Sequence, residues 1–387
     1  MAQTLDAIGQ RFSIASPGVI VETSVASFSD HFAQLQSGAA AGLTPDVFVN
    51  SGEFFDAILT AQVMRDLASS QVSDKFSLDG YWTDPLSQVT NGHLYAMPLW
   101  GACDLVYYNQ DWLTQKKVTV PAGDSTWDQL LQAAGQLSEG KPGEMSRWGM
   151  MVVNDLEGGW GSFVASNGGD FLDSSGRQVT LGAAPAQEAL QWLIDAIVVH
   201  HVAPSLGDQQ QISQAGKVDP FLAGRVAMLV NGTWEMPNAL SGAPFSWGVQ
   251  RLPRAPRTGQ SVAVTSVQPL SAARVGNHPE QTWNFLRFML GTAAQTLLAK
   301  DKLRLPARKD VASDAHAGYA VSPPAQVDSV VAAMDTGRPL RFVPRWRAFR
   351  TAVLRALDPA FAGSQPLNDA LTAAVTAGNA ALAAPSA

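Results

Sequence analysis

Residues 221–234 read Phe221-Leu222-Ala223-Gly224-Arg225-Val226-Ala227-Met228-Leu229-Val230-Asn231-Gly232-Thr233-Trp234, and this stretch indicates the fold more clearly than any other. It predicts a helix end closed by Gly224, a buried strand from Val226 to Val230, and a Gly-Thr-Trp loop. The loop places a large flat ring at the carboxyl end of a strand. Because ligands bind at that end of open α/β sheets, we expect Trp234 to lie at a ligand site.

The composition is that of a globular protein with sizeable cores. The 387 residues are enough for two domains, 46% of them are hydrophobic and 15% are charged. The net charge is −7 and no Lys/Arg-rich run occurs, so nucleic acid is not an expected partner. No apolar stretch reaches the ~18 residues of a membrane span. The single cysteine, Cys103, excludes an internal disulfide and is expected to be a buried structural thiol.

The first fifty residues alternate between helical and strand patterns. Apolar residues at helical spacing predict a helix over Leu5–Phe12, which Pro17-Gly18 ends. Val19–Thr23 then reads as a β-branched strand, Phe28–Leu35 as a second helix, and Pro45–Val49 as a short buried strand. This rhythm predicts βαβ units and a parallel sheet.

Further segments carry local signals along the rest of the chain. Gly92–Pro98 and Leu105–Asn109 read as strands, and Thr126–Gln129 is a capping box that begins a helix. Asn167–Leu181 reads as a small hairpin, and Trp247–Val249 as a strand that follows the Gly-Thr-Trp loop.

Taken in order, these segments resemble the extracellular solute-binding proteins of bacterial ABC importers, and most closely the sugar-binding branch typified by maltose-binding proteins. The family patterns concerned are F-x-x-G-(K/R)-x-A-M-x-x-x-G-x-W, G-K-L-Y-A-L-P, P-x-T-W-D-E-L and W-G-V-x-x-L-P. The resemblance covers nearly the whole chain. It implies a periplasmic-binding-protein-like α/β fold, in which two lobes are joined by a hinge and a ligand cleft lies between them.

The resemblance also implies where the lobes divide. It predicts an N-terminal lobe of residues 1–109 plus 253–303 and a C-terminal lobe of residues 110–252 plus 304–387, with hinge residues at 109–112 and 251–254. Relatives have a strand before the first helix. The sequence as given begins without that strand and without an export signal, so the first sheet is expected to be incomplete.

The implied function is that of an extracytoplasmic substrate-binding component. Such a protein closes on a sugar or oligosaccharide in a venus-flytrap motion and delivers it to separate permease subunits of the importer. The resemblance implies a monomer that is periplasmic, or lipid-anchored outside the membrane, with no cofactor and no metal.

Enzyme signatures are weak in this sequence. Gly135–Lys141 has P-loop spacing, but Pro142 replaces the required Ser/Thr, and no Gly-x-Ser-x-Gly or His-Glu-x-x-His occurs. His200 and His201 are adjacent at a helix end and diverge too much to share a metal. We therefore assign no catalytic residue. A secreted carbohydrate-active enzyme and a periplasmic sensor or chaperone-like partner protein remain as alternatives.

Aromatic residues in loops are the candidate ligand contacts. A sugar site needs flat rings for the CH faces and amide or charged groups for the hydroxyls. Trp234 with Asn231 and Glu235 offers this combination just after a strand. Trp160 lies between glycines that would expose its ring. For both tryptophans the alternative is packing in the core.

Two further loops and the start of the last amphipathic helix complete the candidate set. Trp100 and Asp104 lie in a segment that often contributes to the site in relatives. The polar residues after the Pro45–Val49 strand could reach hydroxyls or merely cap a loop, and they are Asn50, Ser51 and Glu53.

Arg345 and Trp346 begin the last amphipathic helix. An arginine suits a carboxylate or phosphate, so an acidic solute such as a glycerol phosphate is the alternative ligand if Arg345 faces the site. Otherwise this arginine covers the surface of the helix.

Overall fold

Helices and short strands alternate along the chain, as the sequence predicts. The computed structural model describes residues 1–384 except 90, 122, 217–218, 302–303 and 315–327. The helices are α1 Ala2–Ala15, α2 Phe28–Ala41, α3 Gly52–Thr60, α4 Ala68–Ser73, α5 Gln110–Lys116, α6 Trp127–Leu137, α7 Gly161–Ser166, α8 Ala184–Val198, α9 Leu206–Gly216, α10 Met236–Gly242, α11 Pro279–Leu290, α12 Thr292–Lys300, α13 Lys309–Ala312, α14 Asp328–Asp335, α15 Trp346–Phe361 and α16 Leu367–Ala383. The strands are β1 Val47–Val49, β2 Met97–Asn109, β3 Glu139–Lys141, β4 Glu144–Val152, β5 Val226–Gly232, β6 Trp247–Gln250, β7 Val264–Ala272, β8 Leu305–Pro306 and β9 Arg338–Pro339.

The chain divides into two compact units. The first consists of Met1–Ala102, Ser266–Val321 and Pro339–Phe342. In this unit β1 pairs antiparallel with β7, β7 lies beside β2, and the first part of β2 pairs with β8. Helices α1, α11 and α12 pack together, and Phe12 of α1 makes edge contacts with Phe285 and Phe288 of α11. These apolar contacts form the core of the unit.

The second unit consists of Cys103–Thr265, Ser322–Arg338 and Val343–Ala387. The remainder of β2 pairs antiparallel with β5 and β6, and β4 lies parallel to β5. Helices α15 and α16 pack against each other and against α8. Trp127 of α6, Phe163 of α7 and Trp192 of α8 form an aromatic cluster. Buried Cys103 contacts the Val330 carbonyl oxygen through its Sγ, which confirms a structural thiol.

The predicted lobe boundaries stay a prediction, and the divisions between these compact units fall at other residues. The chain passes from one unit to the other within β2 between residues 102 and 103, within β7 between residues 265 and 266, and within β9 between residues 338 and 339, and it crosses again between residues 342 and 343. The predicted boundaries near 109 and 252, with their hinge stretches, lie inside the second unit, and the boundary at residue 303 lies outside the described residues. Three of these crossings lie within strands, where no linker in the sequence marks a boundary.

Most of the predicted elements are confirmed. Thr126 and Gln129 form the capping box at the start of α6, and the predicted hairpin is present as the Leu172–Val179 bridge. The Val19–Thr23 strand is wrong, because these residues have no strand conformation and Ile20 is 86% exposed. A β-branched run becomes a strand only where another strand pairs with it. Among the described residues, no helix is both long enough and apolar enough to cross a membrane.

Candidate functional site

Two parallel strands of the second unit end at the same edge of its sheet. Val152 of β4 lies opposite Val230 of β5, so the loops that follow these strands adjoin. Strand β2 runs antiparallel to β5 and places Asp104 opposite Gly232. This edge therefore brings together three segments that the sequence analysis had selected separately.

The Trp234 ring lies across two glycines at this edge. A Cβ atom at Gly158 would lie 2.7 Å from Trp234 Cζ2 and 2.6 Å from Asn231 Oδ1, and a Cβ at Gly232 would overlap the ring. Trp234 and Asn231 are half-buried, so part of the ring stays accessible. We call Trp234, Asn231, Gly158 and Gly232 the Trp234 platform. Its ring and amide are the two kinds of group that a sugar site requires.

The loop of residues 153–160, which carries Gly158, is fixed to helix α15. Asn154 Nδ2 donates to the Leu354 carbonyl oxygen at 3.0 Å, and Asn154 Oδ1 accepts from Trp160 Nε1 at 2.9 Å. Asp155 forms a two-point ion pair with Arg350, in which Arg350 Nε lies 2.9 Å from Asp155 Oδ1. These contacts hold the loop in one place beside β5.

Trp160 is a core residue in this structure. Its side chain is fully buried and packs edge-on against Phe171, with ring centroids 6.4 Å apart. The expectation that the flanking glycines expose its ring is wrong, because Gly158 instead makes room for Trp234. Stacking of Trp160 on a ligand stays an untested prediction.

Asp104 is buried at the base of the platform. Its Oδ1 accepts the Gly158 N–H at 2.7 Å, and its Oδ2 accepts the Ser162 hydroxyl at 2.6 Å. Burial is the largest cause that raises the pKa of Asp104, to about 7, and the nearby Asp155 charge adds to the rise. Glu235 is half-buried in the turn that carries Trp234. Ligand contact by either residue remains a prediction.

Arg345 and Trp346 are tied to the C-terminal helices. Arg345 Nε donates to the Ala381 carbonyl oxygen at 2.7 Å, in the last turn of α16. Cations stabilise helix C-termini, so this contact favours the structural interpretation of the arginine. Trp346 is buried, and its ring packs against Phe349 and Phe171.

The candidates in the first unit form two local groups. Asn50 is fully buried and accepts the Ser51 N–H, and the Ser51 hydroxyl caps helix α3 by accepting the Glu53 N–H at 3.4 Å. Glu53 is half-buried. Trp100 is buried and donates its Nε1–H to Gln268 Oε1 at 2.6 Å. Loop capping accounts for the first two side chains, and ligand contact by any of the four stays a prediction.

Comparison with known proteins identifies the family. The model of the family described as bacterial extracellular solute-binding protein matches residues 7–324. The chain belongs to this family. The predicted recognition is therefore confirmed.

Solved structures share the fold over almost the entire chain. An ABC substrate-binding protein from Listeria monocytogenes in complex with cycloalternan is 23% identical, with a TM-score of 0.83 and coverage of 98% of this chain and 95% of that one. A cyclic α-maltosyl-1,6-maltose binding protein from Arthrobacter globiformis is 19% identical (TM-score 0.80, coverage 98% and 95%). A maltose/maltodextrin-binding domain from Bdellovibrio bacteriovorus bound to maltotriose is 20% identical (TM-score 0.75, coverage 97% and 95%). The predicted two-lobed α/β fold class is confirmed.

Two buried carboxyl groups make the solute-binding protein less stable as the pH rises. The pKa of Asp104 is raised to about 7, and that of Asp84, mainly by burial, to about 6. Through these two groups the folded state binds more protons than the unfolded state between about pH 4 and pH 7, so their contribution to the free energy of unfolding falls as pH rises through this range. Asparagine has no carboxyl to ionise. We therefore expect Asp104→Asn to remove the part of this pH-dependent loss of stability that Asp104 causes, a few kcal/mol at about 1.4 kcal/mol per pKa unit.

Urea unfolding of the wild type and Asp104→Asn at pH 5 and pH 8 measures this effect. Carboxylates whose pKa is lowered, such as Asp66 and Asp173, contribute equally to the stability of both proteins, so their effect cancels in the difference between them. An identical pH dependence in both proteins would contradict the prediction.

The sequence did not indicate which residues support the Trp234 and Asn231 side chains. Gly158 and Gly232 were visible as glycines beside aromatic residues, but which ring they accommodate depends on the pairing of β4 with β5. Ser162 carried no signal, because its partner Asp104 lies on a distant strand.

Proposed function

We propose that the protein is the substrate-binding subunit of an ABC importer and that it binds a neutral sugar or oligosaccharide at the Trp234 platform. The permease and ATPase subunits that receive the sugar are separate chains. The observation that carries the proposal is the half-buried Trp234 ring, seated on Gly158 and Gly232 at the carboxyl ends of β4 and β5.

The chemistry of the platform suits a sugar ring. The benzo ring of Trp234 offers a flat apolar surface for the CH face of a pyranose. The Asn231 side chain already accepts the Gly232 N–H at 2.8 Å, and this bond restricts the orientation of its amide. Amides and carboxylates hydrogen-bond sugar hydroxyls, and the half-buried Glu157 and Glu235 flank the platform in sequence.

The ligands of the structural relatives agree with this class. Cycloalternan, cyclic α-maltosyl-1,6-maltose and maltotriose are all neutral oligosaccharides of glucose. These ligands are bound by the relatives. For this protein we propose only that the ligand is a neutral sugar.

The rival ligand is an acidic solute. It would need a cation at the site, and the sequence offered Arg345 for that purpose. The hydrogen bond from Arg345 to the end of α16 and the two carboxylates that flank the platform both favour a neutral ligand.

Arg345→Ala is expected to leave sugar affinity unchanged within about threefold and to lower the free energy of unfolding by about 1 kcal/mol, the contribution of one helix-terminal hydrogen bond. Arg347→Ala, at an exposed position two residues along, is the control. Calorimetric titration with maltotriose and urea unfolding give the two quantities. A loss of affinity above tenfold would place Arg345 at the ligand and favour the acidic solute.

The remaining features concern location and chemistry. We propose that the protein acts as a monomer outside the cytoplasm, in the periplasm or anchored by lipid, as the family's extracellular description indicates. No group of three His, Cys, Asp or Glu side chains that could hold a metal ion lies within the part of the chain that the structure describes. We assign no chemical step. Release of nitrophenol from chromogenic glycosides would contradict this and favour an enzyme.

Thermal unfolding against a panel of ligands tests the proposal. The panel contains mono- and disaccharides, malto- and xylo-oligosaccharides, and glycerol phosphates. A ligand present at ~100 times its dissociation constant adds about 2.7 kcal/mol to the stability, which raises the melting temperature by several degrees. A rise with one neutral sugar class supports the proposal, and a rise with glycerol phosphates alone would overturn it.

A further inference from the structure

A chain of buried hydrogen bonds runs beneath the Trp234 platform. Asp104 accepts the Gly158 N–H through Oδ1 and the Ser162 hydroxyl through Oδ2, at 2.7 Å and 2.6 Å. Ser162 Oγ in turn accepts the Val264 N–H at 2.7 Å. Asp104 and Ser162 are 1% and 0% exposed, so water does not compete for these bonds. Three segments distant in sequence are thereby joined through two side chains.

These hydrogen bonds join the platform to segments at which the polypeptide passes between the two units. Gly158 belongs to the platform, Asp104 lies on β2 just after the chain enters the second unit, and Val264 lies on β7 just before the chain leaves it. The platform is thus hydrogen-bonded directly to β2 and, through Ser162, to β7, and both of these strands continue into the other unit. Any shift of Gly158 therefore changes the surroundings of the Asp104 carboxyl on β2, which Ser162 connects to β7.

The buried Asp104 carboxyl costs more free energy than a purely structural role would require. Burial of a carboxylate costs free energy, and a neutral, well-packed replacement is often as stable or more stable. Proteins depart from low-energy choices mainly at functional sites. The position of Asp104 beneath the platform supplies such a function.

We propose that Asp104, acting through Gly158 and Ser162, is a positioning residue that holds the platform in its ligand-binding arrangement and links it to β2 and β7. This inference rests on the proposed function, because it concerns the same site.

The charged groups around Asp104 set its response to pH. Asp155, whose charge helps to keep Asp104 protonated, is itself paired with Arg350 of α15, and the neighbouring Cys103 thiol has a pKa raised by its own burial. The carboxylate accepts both hydrogen bonds, whereas a protonated Asp104 turns one acceptor into a donor. Burial has the largest effect on the pKa of Asp104 and raises it, but the hydrogen bonds from Ser162 and Gly158 lower it, so a platform that makes both bonds favours the charged form. Sugar affinity should therefore rise as pH increases from 6 to 8.

Four variants test the inference by two measurements. Asp104→Ala and Ser162→Ala break the hydrogen-bond chain, and Asp104→Asn keeps an acceptor for Gly158 but has no charge to lose. Ser166→Ala is the matched control, because Ser166 lies on the same helix, is 1% exposed and bonds to Val262 of the segment before β7 without touching Asp104. The measurements are amide hydrogen exchange of residues 153–160 without ligand, and the dissociation constant of maltotriose.

We expect Asp104→Ala and Ser162→Ala to speed exchange in residues 153–160 and to weaken maltotriose binding by about tenfold, the effect of one lost charge-assisted hydrogen bond. Ser166→Ala should change neither quantity. Asp104→Asn, which keeps the fold if Asp104→Ala does not, should bind with an affinity that no longer varies between pH 6 and pH 8.

Two results would overturn the inference: unchanged exchange in the Asp104 and Ser162 variants, or faster exchange with unchanged affinity. A pH profile of Asp104→Asn identical to that of the wild type would also overturn it. If the wild type binds no sugar, the proposed function fails. The exchange measurement then still decides whether Asp104 holds the loop.

Discussion

Trp234→Ala is expected to weaken sugar binding by about 100-fold or more, with little change in the stability of the fold. Buried tryptophans at the centre of a binding site contribute about 2–4 kcal/mol, which corresponds to a loss of this size. The ring is half-buried on Gly158 and Gly232 and lies outside the aromatic cluster of the second unit, so its removal leaves the core packing in place. Calorimetric titration of the sugar that raises the melting temperature measures the loss.

Trp192→Ala is the matched control for this variant. Trp192 is also half-buried and also belongs to the second unit, but its ring packs on Phe163 and Trp127, at centroid distances of 5.6 Å and 5.2 Å. Its removal should lower the melting temperature and leave the affinity unchanged. Equal affinity losses in the two variants would mean that Trp234 acts through stability alone.

Gly158→Ala is expected to produce the second largest effect, a loss of affinity of at least tenfold together with a loss of stability. Gly158 has a φ of +69°, a backbone conformation that costs alanine about 1 kcal/mol. The added Cβ would also lie too close to Asn231 Oδ1 and to the Trp234 ring. The platform must therefore move apart, and the ring loses the position in which it meets the ligand.

Gly224→Ala separates the two causes. Gly224 has a similar φ of +64°, but a Cβ there would meet no atom within 4 Å. This variant should lose about 1 kcal/mol of stability and none of the affinity. Urea unfolding and sugar titration of both variants give the comparison. A Gly158→Ala protein that binds as well as Gly224→Ala would show that the platform is not the ligand site.

The sequence predicted those elements whose signals are local. The buried strand β5 is recognised because the run Val226–Val230 ends in a loop signal, and the α6 capping box because Thr126 and Gln129 bond to each other. The Val19–Thr23 strand failed because strand formation depends on a partner elsewhere in the chain. Strand β2 was expected as two strands, yet its thirteen residues are continuous and all buried between several partners.

The candidate site shows the same limit. Trp234 could be selected because an aromatic residue after a buried strand is a recognisable pattern. The pairing of β4 with β5 determines which loops adjoin. For this reason the sequence alone does not show that Trp160 lies in the core or that Gly158 makes room for the Trp234 ring. The Asp104–Ser162 hydrogen bond joins residues far apart in sequence, and neither residue type marks such a contact in advance.

A crystal structure of the protein with its stabilising sugar is the most direct test of the central claim. We expect a sugar ring to lie against the indole of Trp234, with its hydroxyls in hydrogen-bond contact with Asn231 or Glu235. A sugar bound elsewhere, with the Trp234 ring uncovered, would contradict it.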